Sequence, residues 1–191
     1  MSKIQLLEEL KSECEKCNAC TLCETRNNVV FSDGNSEAPI LLIGEAPGAD
    51  EDMTGTPFVG RAGKLLNSFF EMAGLSRKND IYICNTVKCR PPKNRVPSDT
   101  EKNICQHFLL KQIEIVNPKV ILLCGATAMQ TFLGKKEKIS QVRGNWLEIL
   151  DNRKAMVIFH PSYLLRNHRT EEGSPRWLMN QDLQKVREFI E

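Results

Sequence analysis

Residues 39–58 read PILLIGEAPGADEDMTGTPF, and the break at Gly44 decides what the chain around it becomes. Pro39-Ile40-Leu41-Leu42-Ile43 is a continuous apolar run of the kind a strand needs when both of its faces are covered. From Gly44 onward the stretch turns polar, with Pro47, Gly48, Gly55 and Pro57 set among the carboxylates Glu45, Asp50, Glu51 and Asp52. A buried strand therefore empties into a polar loop. In open α/β sheets ligands bind beyond the carboxyl ends of the strands, so this loop is the first place to look for chemistry.

Outward from it, strand-like and helix-like segments alternate. Arg61 to Ala73 places Leu65, Leu66, Phe69, Phe70 and Met72 at helical spacing, and Gly74 is suited to close that helix. Ile81 to Cys84 is a second short strand, leading into NTVKCRPPKNR at 85–95. Ser98 with Glu101 forms a capping box for a long helix carrying Ile104, Phe108, Leu109 and Ile113. Lys119 to Cys124 is a third buried strand, and Gly125 opens a short helix to Leu133. Val142 to Leu150 contains a strand paired with the next one, Ala155 to Phe159, which runs into HPSYLLRNHR at 160–169. Pro175 to Ile190 is an amphipathic closing helix. Upstream, Ile4, Leu6, Leu7 and Leu10 make an amphipathic helix over 3–13, and 26–38 is a loop with a short strand at Val29-Val30-Phe31.

This pattern predicts one three-layer α/β/α domain over 1–191, with a central, largely parallel four-stranded sheet. If the strands at 39–43, 81–84 and 155–159 are parallel neighbours, their C-terminal ends deliver GEAPG, Asn85 and His160 to one crevice.

A chain of 191 residues buries roughly 70% of its unfolded surface and needs no disulfides. The first 16 residues carry charges throughout and no apolar run approaches membrane length, so neither a signal peptide nor a span is expected. The expectation is a cytoplasmic monomer without membrane contact. A net charge of +2 does not by itself argue for nucleic acid, and any such case rests on local clustering.

Eight cysteines in such a chain point to metal or redox chemistry. Cys84 and Cys124 lie inside apolar strands and read as inert core thiols. Cys14, Cys17, Cys20 and Cys23 recur at every third position, while Cys89 and Cys105 stand 16 apart among polar neighbours. Spacing alone leaves three arrangements open: a local ferredoxin-type cubane, a cluster clasped by Cys89 and Cys105 with two cysteines of the first run, or four-thiolate zinc.

Five ordered stretches, CNACTLCETRNNVVF, GEAPGADED, TPFVGRAGKLLN, NTVKCRPPKNR and HPSYLLRN, resemble the family 4, iron-sulfur uracil-DNA glycosylases. The resemblance runs from about Cys17 to the C-terminal helix. It implies excision of uracil from DNA, single- or double-stranded, and a structural 4Fe-4S cluster. By this resemblance the cluster ligands fall on Cys17, Cys20, Cys89 and Cys105, leaving Cys14 and Cys23 as extra thiols. A N-terminal unit, residues 1–25, is then expected to be joined to the domain through the cluster. The implied uracil pocket falls on Gly44, Glu45, Ala46, Glu51, Phe58, Asn85 and His160.

Chemistry can be set beside each of these positions. Phe58 offers a face on which a flipped pyrimidine stacks. Asn85 can accept from uracil N3–H and donate to O4, a pattern that cytosine reverses. His160 can donate to O2, where negative charge grows as the glycosidic bond breaks. The best-known related branch has Asp where this chain has Ala46, so the water-activating role does not transfer. Glu45 and Glu51 are the available carboxylates, and Glu51 could instead wall off a thymine methyl group. Leu164 and Leu165 are candidate wedges for the space a flipped base leaves, or else core. Lys88, Arg90, Lys93, Arg95, Arg166 and Arg169 are candidate phosphate contacts, or else a solvated charge run. A cousin that is covalently captured by its abasic product carries a His-containing insertion after the second strand. This chain passes directly from Lys88 to Cys89, so capture is not expected. A non-catalytic iron-sulfur DNA-binding or electron-transfer module is the competing class.

Overall fold

The structure, a computed structural model, describes residues 1–191. In chain order its strands are β1 (Asp33–Gly34), β2 (Ile40–Gly44), β3 (Ile81–Asn85), β4 (Val120–Cys124), β5 (Trp146–Ile149) and β6 (Arg153–Ile158). Its helices are α1 (Lys3–Glu15), α2 (Ala49–Thr54), α3 (Arg61–Met72), α4 (Arg77–Asp80), α5 (Asp99–Val116), α6 (Ala126–Leu133), α7 (Ile139–Val142), α8 (Pro161–Leu164) and α9 (Pro175–Ile190). No helix is long and apolar enough to cross a membrane.

The sheet has six strands, in the order β1-β3-β2-β4-β6-β5, where four were expected. β3, β2, β4 and β6 run parallel, and the edges are closed antiparallel by β5, the strand expected within 142–150 and paired with β6, and by β1, which was not expected. The strand β1 escapes a pattern reading because it is only Asp33–Gly34, with no side-chain periodicity to detect. Val30 and Phe31, read as the strand there, are buried in loop backbone, with the Val30 amide donating to the Lys88 carbonyl at 2.8 Å.

Alternate residues of the parallel strands feed two cores. Leu41, Ile43, Tyr82, Cys84, Ile121, Leu123, Ala155 and Val157 face α1, α5 and α6; Ile40, Leu42, Ile81, Ile83, Leu122, Met156 and Ile158 face α3, α8 and α9. That period of two, run through strands buried on both faces, produces the three layers. The N-terminal helix does not rely on the Cys run for attachment, since Leu7 and Leu10 of α1 enter the core beneath α5 directly. Ile4 and Met72, both read as apolar-face residues, are exposed.

The helix ends follow local chemistry. Ser98 accepts from the Glu101 amide while the Glu101 carboxylate accepts from the Ser98 amide, completing the capping box of α5. Gly74 follows the end of α3 at φ +71°, where an L side chain would be strained.

Leu122 lies on β4 between β2 and β6 with no exposed surface. Leu122→Ala should lower stability by about 2–5 kcal/mol, read as a lower urea midpoint at unchanged slope.

Candidate active site

The β2–β3 register sets Gly44 opposite Asn85; β6 is not their immediate neighbour as expected, since β4 intervenes, but it ends on the same edge of the sheet, and three loops open onto one cavity of about 270 Å³. Its walls include Glu45, Ala46, Glu51, Phe58, Asn85 and His160. The sequence-predicted pocket residues are thus brought together on one rim.

Asn85 is 2% exposed, and its Oδ1 has no hydrogen-bond partner within the protein. A buried amide oxygen left alone costs about 1–3 kcal/mol, so its position calls for a donor from outside the fold. Gly44 makes the arrangement possible: a Cβ there would overlap Asn85 Oδ1 and stand 2.7 Å from the Phe58 ring. Phe58 is itself buried and adopts φ +52°, an uncommon conformation for a bulky residue, which the surroundings must enforce. Arg77 of α4 supplies that constraint. Its Nη1 donates to the Phe58 carbonyl at 2.8 Å and its Nη2 to the Pro57 carbonyl at 2.6 Å, while Nε is anchored on Asp33 at 2.9 Å.

The carboxylates divide by how their oxygens are used. Glu51 Oε1 accepts from the Val59 and Gly60 amides, both at 2.9 Å, and Oε2 accepts from the Gly48 amide at 3.1 Å. It ties the two ends of the 48–60 loop together. Asp52 is fully buried and accepts from the Asn27 and Asn28 amides, fastening α2 to the segment that follows the Cys run. Glu45 takes one side-chain bond, from the Thr127 hydroxyl to Oε2, and its backbone carbonyl accepts from Thr86.

His160 precedes α8 as its N-cap. Its Nδ1 accepts from the Ser162 amide at 3.2 Å and lies 2.7 Å from Ser162 Oγ. A nitrogen that accepts from a backbone amide carries no proton, so the neutral ring holds its hydrogen on Nε2. Burial pushes His160 down to about 4, with Glu51 opposing more weakly. The Phe58 and His160 ring centroids are 5.9 Å apart.

On the other side of the 85–89 segment, Cys14, Cys17, Cys20, Cys23, Cys89 and Cys105 all line a second, small cavity. Arg26 Nη1 donates to Cys89 Sγ at 3.2 Å. Lys88 also lines this cavity, and its position corrects the expectation that it contacts phosphate. It is 1% exposed, and Nζ donates to the Asn85 carbonyl at 2.8 Å and to Gln112 Oε1 at 2.5 Å. Gln112 is held in turn by the Phe31 carbonyl and the Tyr82 hydroxyl. Cys84 and Cys124 are buried in the sheet, away from this cavity.

The remaining basic side chains stay outside. Lys93, Arg95, Arg166 and Arg169 are exposed and Arg90 half-buried, its Nε donating to Asn94 Oδ1 at 2.7 Å. Arg95 lines the base-sized cavity but is engaged by both Glu101 oxygens, at 2.6 and 2.8 Å, and that guanidinium holds Glu101 down to about 2. Leu164, offered as a wedge, is fully buried against the core, because α8 turns that side chain inward; Leu165 is half-buried.

The family model of the uracil DNA glycosylase superfamily matches residues 31–184. A type-4 uracil-DNA glycosylase of Thermotoga maritima is 49% identical over 187 residues, covering 97% of this chain and 95% of the relative. This chain belongs to the type-4 uracil-DNA glycosylases. Two further members of that type are similar: one from Saccharolobus solfataricus, 40% identical over 193 residues and 96% of this chain, and one from Archaeoglobus fulgidus, 38% identical over 176 residues and 88% of this chain. The relatives are matched over 86% and 88% of their own lengths.

In this glycosylase Arg77, Thr127, Ser162, Arg26 and Gln112 were missed by sequence reasoning. Each acts on a partner distant in the chain or through a backbone atom, and so leaves no local motif.

The depressed His160 makes a testable contribution to stability. Unfolded, the imidazole takes up its proton as the pH falls through 6.5; folded, it resists until about 4. Its contribution is therefore complete above 6.5 and lost between 6.5 and about 4. His160→Asn keeps a good N-cap residue but cannot titrate. Thermal midpoints measured across that pH window should fall less steeply for His160→Asn than for the wild type.

Proposed function

We propose that this chain excises uracil from DNA by hydrolysing its N-glycosidic bond, with an abasic site and free uracil as products. The observation that carries the reading is the unpartnered Asn85 Oδ1, buried at the cavity beside Phe58 and His160. Uracil N3–H is the donor that would satisfy it, and the amide NH₂ can donate to O4. Cytosine presents an acceptor at N3 and a donor at N4, leaving both Asn85 groups opposed by like partners. A site built to hydrogen-bond its ligand rejects such an analogue strongly, because buried polar groups would remain unpaired.

A base flipped from the stack would pack on Phe58, gaining about 1–3 kcal/mol toward the few kcal/mol spent on flipping. As the C1′–N1 bond breaks, its electron pair passes to the base and charge accumulates at O2. His160 meets that charge as a neutral donor through Nε2–H, with its ring already oriented by Ser162. Water then bonds to C1′. We assign Glu45 to position that water and take its proton, since Thr127 fixes one oxygen and Glu45 lines the cavity. The loss of base before attack reduces what Glu45 must supply. Glu51, with both oxygens engaged by backbone amides, is assigned to holding the loop that carries Phe58. Arg90, Lys93, Arg95 and Arg166 are the candidate phosphate contacts, and Leu165 the candidate wedge.

Cys17, Cys20, Cys89 and Cys105 would hold a 4Fe-4S cluster, which contributes shape and charge rather than chemistry at the base. Two observations fit such a group. The donors are soft thiols lining one cavity. Lys88 is buried beside the thiols with only neutral hydrogen-bond acceptors, so an anionic tetrathiolate would supply its missing counter-charge.

The test is an end-labelled oligonucleotide carrying one uracil, incubated with the protein and resolved on a denaturing gel with and without alkali. Cleavage only after alkali is expected. An unchanged band with iron-loaded protein would return the chain to the non-catalytic class, and an upward-shifted band would mean covalent capture. His160→Ala should lower kcat by roughly 10²–10³-fold. Asn85→Ala should lower kcat/KM by roughly 10- to 100-fold. Cys89→Ala and Cys105→Ala should each lose iron and inorganic sulfide and unfold at lower temperature, whereas Cys14→Ala should retain both.

A further inference from the structure

Six thiols line the small cavity, two more than a four-thiolate cluster uses. We propose that Cys14 and Cys23 are reserve ligands, each able to replace the neighbouring member of the Cys17–Cys20 pair, whereas Cys89 and Cys105 have no substitute. The inference rests on the cluster reading above and goes beyond it in assigning the two unused thiols.

The placement of the thiols carries the argument. Cys14 sits in the last turn of α1, is 2% exposed and belongs to the core cluster against which Cys17 and Cys105 pack. Its carbonyl accepts from the Cys17 amide at 3.1 Å, so the chain turns tightly between the two and keeps both thiols on the cavity wall. The pattern repeats at the other end of the run, where the Cys20 carbonyl accepts from the Cys23 amide at 3.2 Å. The two inner cysteines of the run are thereby each followed or preceded by a second thiol, one tight turn away and on the same cavity. Cys105 lies within α5 with no other cysteine within fifteen residues, and the one near Cys89, Cys84, is five residues back in β3, fully buried in the sheet and not on the cavity wall. The buried Lys88 adds an independent constraint. It lies between the thiols and the base pocket, and its charge favours keeping an anionic group in the cavity after one ligand is lost.

The exchange needs no redox partner. When Cys17 is absent, Cys14 Sγ bonds to the iron it would have held and releases its proton to water; iron and sulfide charges are unchanged. The same balance applies to Cys23 in place of Cys20. α1 can yield locally, since Cys14 is one residue from its C-terminal end, where the last carbonyls lack helical partners.

Iron and acid-labile sulfide per chain, together with the visible absorption of the cluster, test this without reference to activity. The set is the wild type, Cys17→Ala, Cys20→Ala, Cys89→Ala, and the paired variants Cys14→Ala/Cys17→Ala and Cys20→Ala/Cys23→Ala, each checked for folding by circular dichroism. Expected are wild-type iron in Cys17→Ala and Cys20→Ala with altered absorption from the changed ligand set, and loss of iron in Cys89→Ala and both paired variants. Loss of iron from Cys17→Ala and Cys20→Ala equal to that of Cys89→Ala overturns the reserve role while leaving the cluster reading intact. Retention of iron in the paired variants overturns it as well. A folded wild type without iron or sulfide overturns the cluster reading itself and the reserve role with it.

Discussion

Parallel pairing of β2 with β3 on one side and β4 on the other is the constraint on which the site depends. In parallel strands the carboxyl ends fall on one edge, so loops far apart in sequence must leave the sheet together. The register then does the finer placement by setting Gly44 opposite Asn85. Only a residue without Cβ leaves room there for the Asn85 amide and the Phe58 ring at once. The unsatisfied Oδ1 stands at the end of β3, a strand that is buried along its whole length.

The segment from Asn85 to Cys89 joins two cavities of opposite character. On one side is a polar, base-sized pocket, and on the other a wall of thiols. Lys88 lies between them, bonded to the Asn85 carbonyl and to Gln112. A buried cation with neutral partners is costly unless an anion lies close by. The thiol cavity is the natural place for that anion, and a group held there and the Asn85 amide would share one short piece of backbone. Arg26 reinforces the same region from the Cys run by bonding Cys89.

Strain at the pocket is held by two charged side chains, Arg77 behind it and Glu51 in its wall. Phe58 keeps an uncommon backbone conformation because Arg77 grips two successive carbonyls and Glu51 takes the two amides that follow. Both side chains are fixed by charge-assisted hydrogen bonds, which are the stronger kind and restrict direction as well as distance. The loop that carries Phe58 is therefore held in place by the fold itself.

The sequence by itself determined the alternation of buried strands with amphipathic helices, the capping box of α5 and the closing helix α9. Those features are written in local periodicity and in motifs a few residues long. It also pointed to the cysteines as a metal site, though not to which of them would face one another. Only the tertiary structure decided that Lys88 and Leu164 turn inward while Arg90, Lys93 and Arg166 remain at the rim, since a basic loop and an apolar turn read the same whichever way they face. It alone added the edge strand β1, the grip of Arg77 on Phe58 and the gathering of six thiols around one cavity. Local pattern fixes which residues are apolar and which can cap or turn; pairing between distant segments fixes which way each side chain points, and in this molecule that direction separates a phosphate contact from a buried strut.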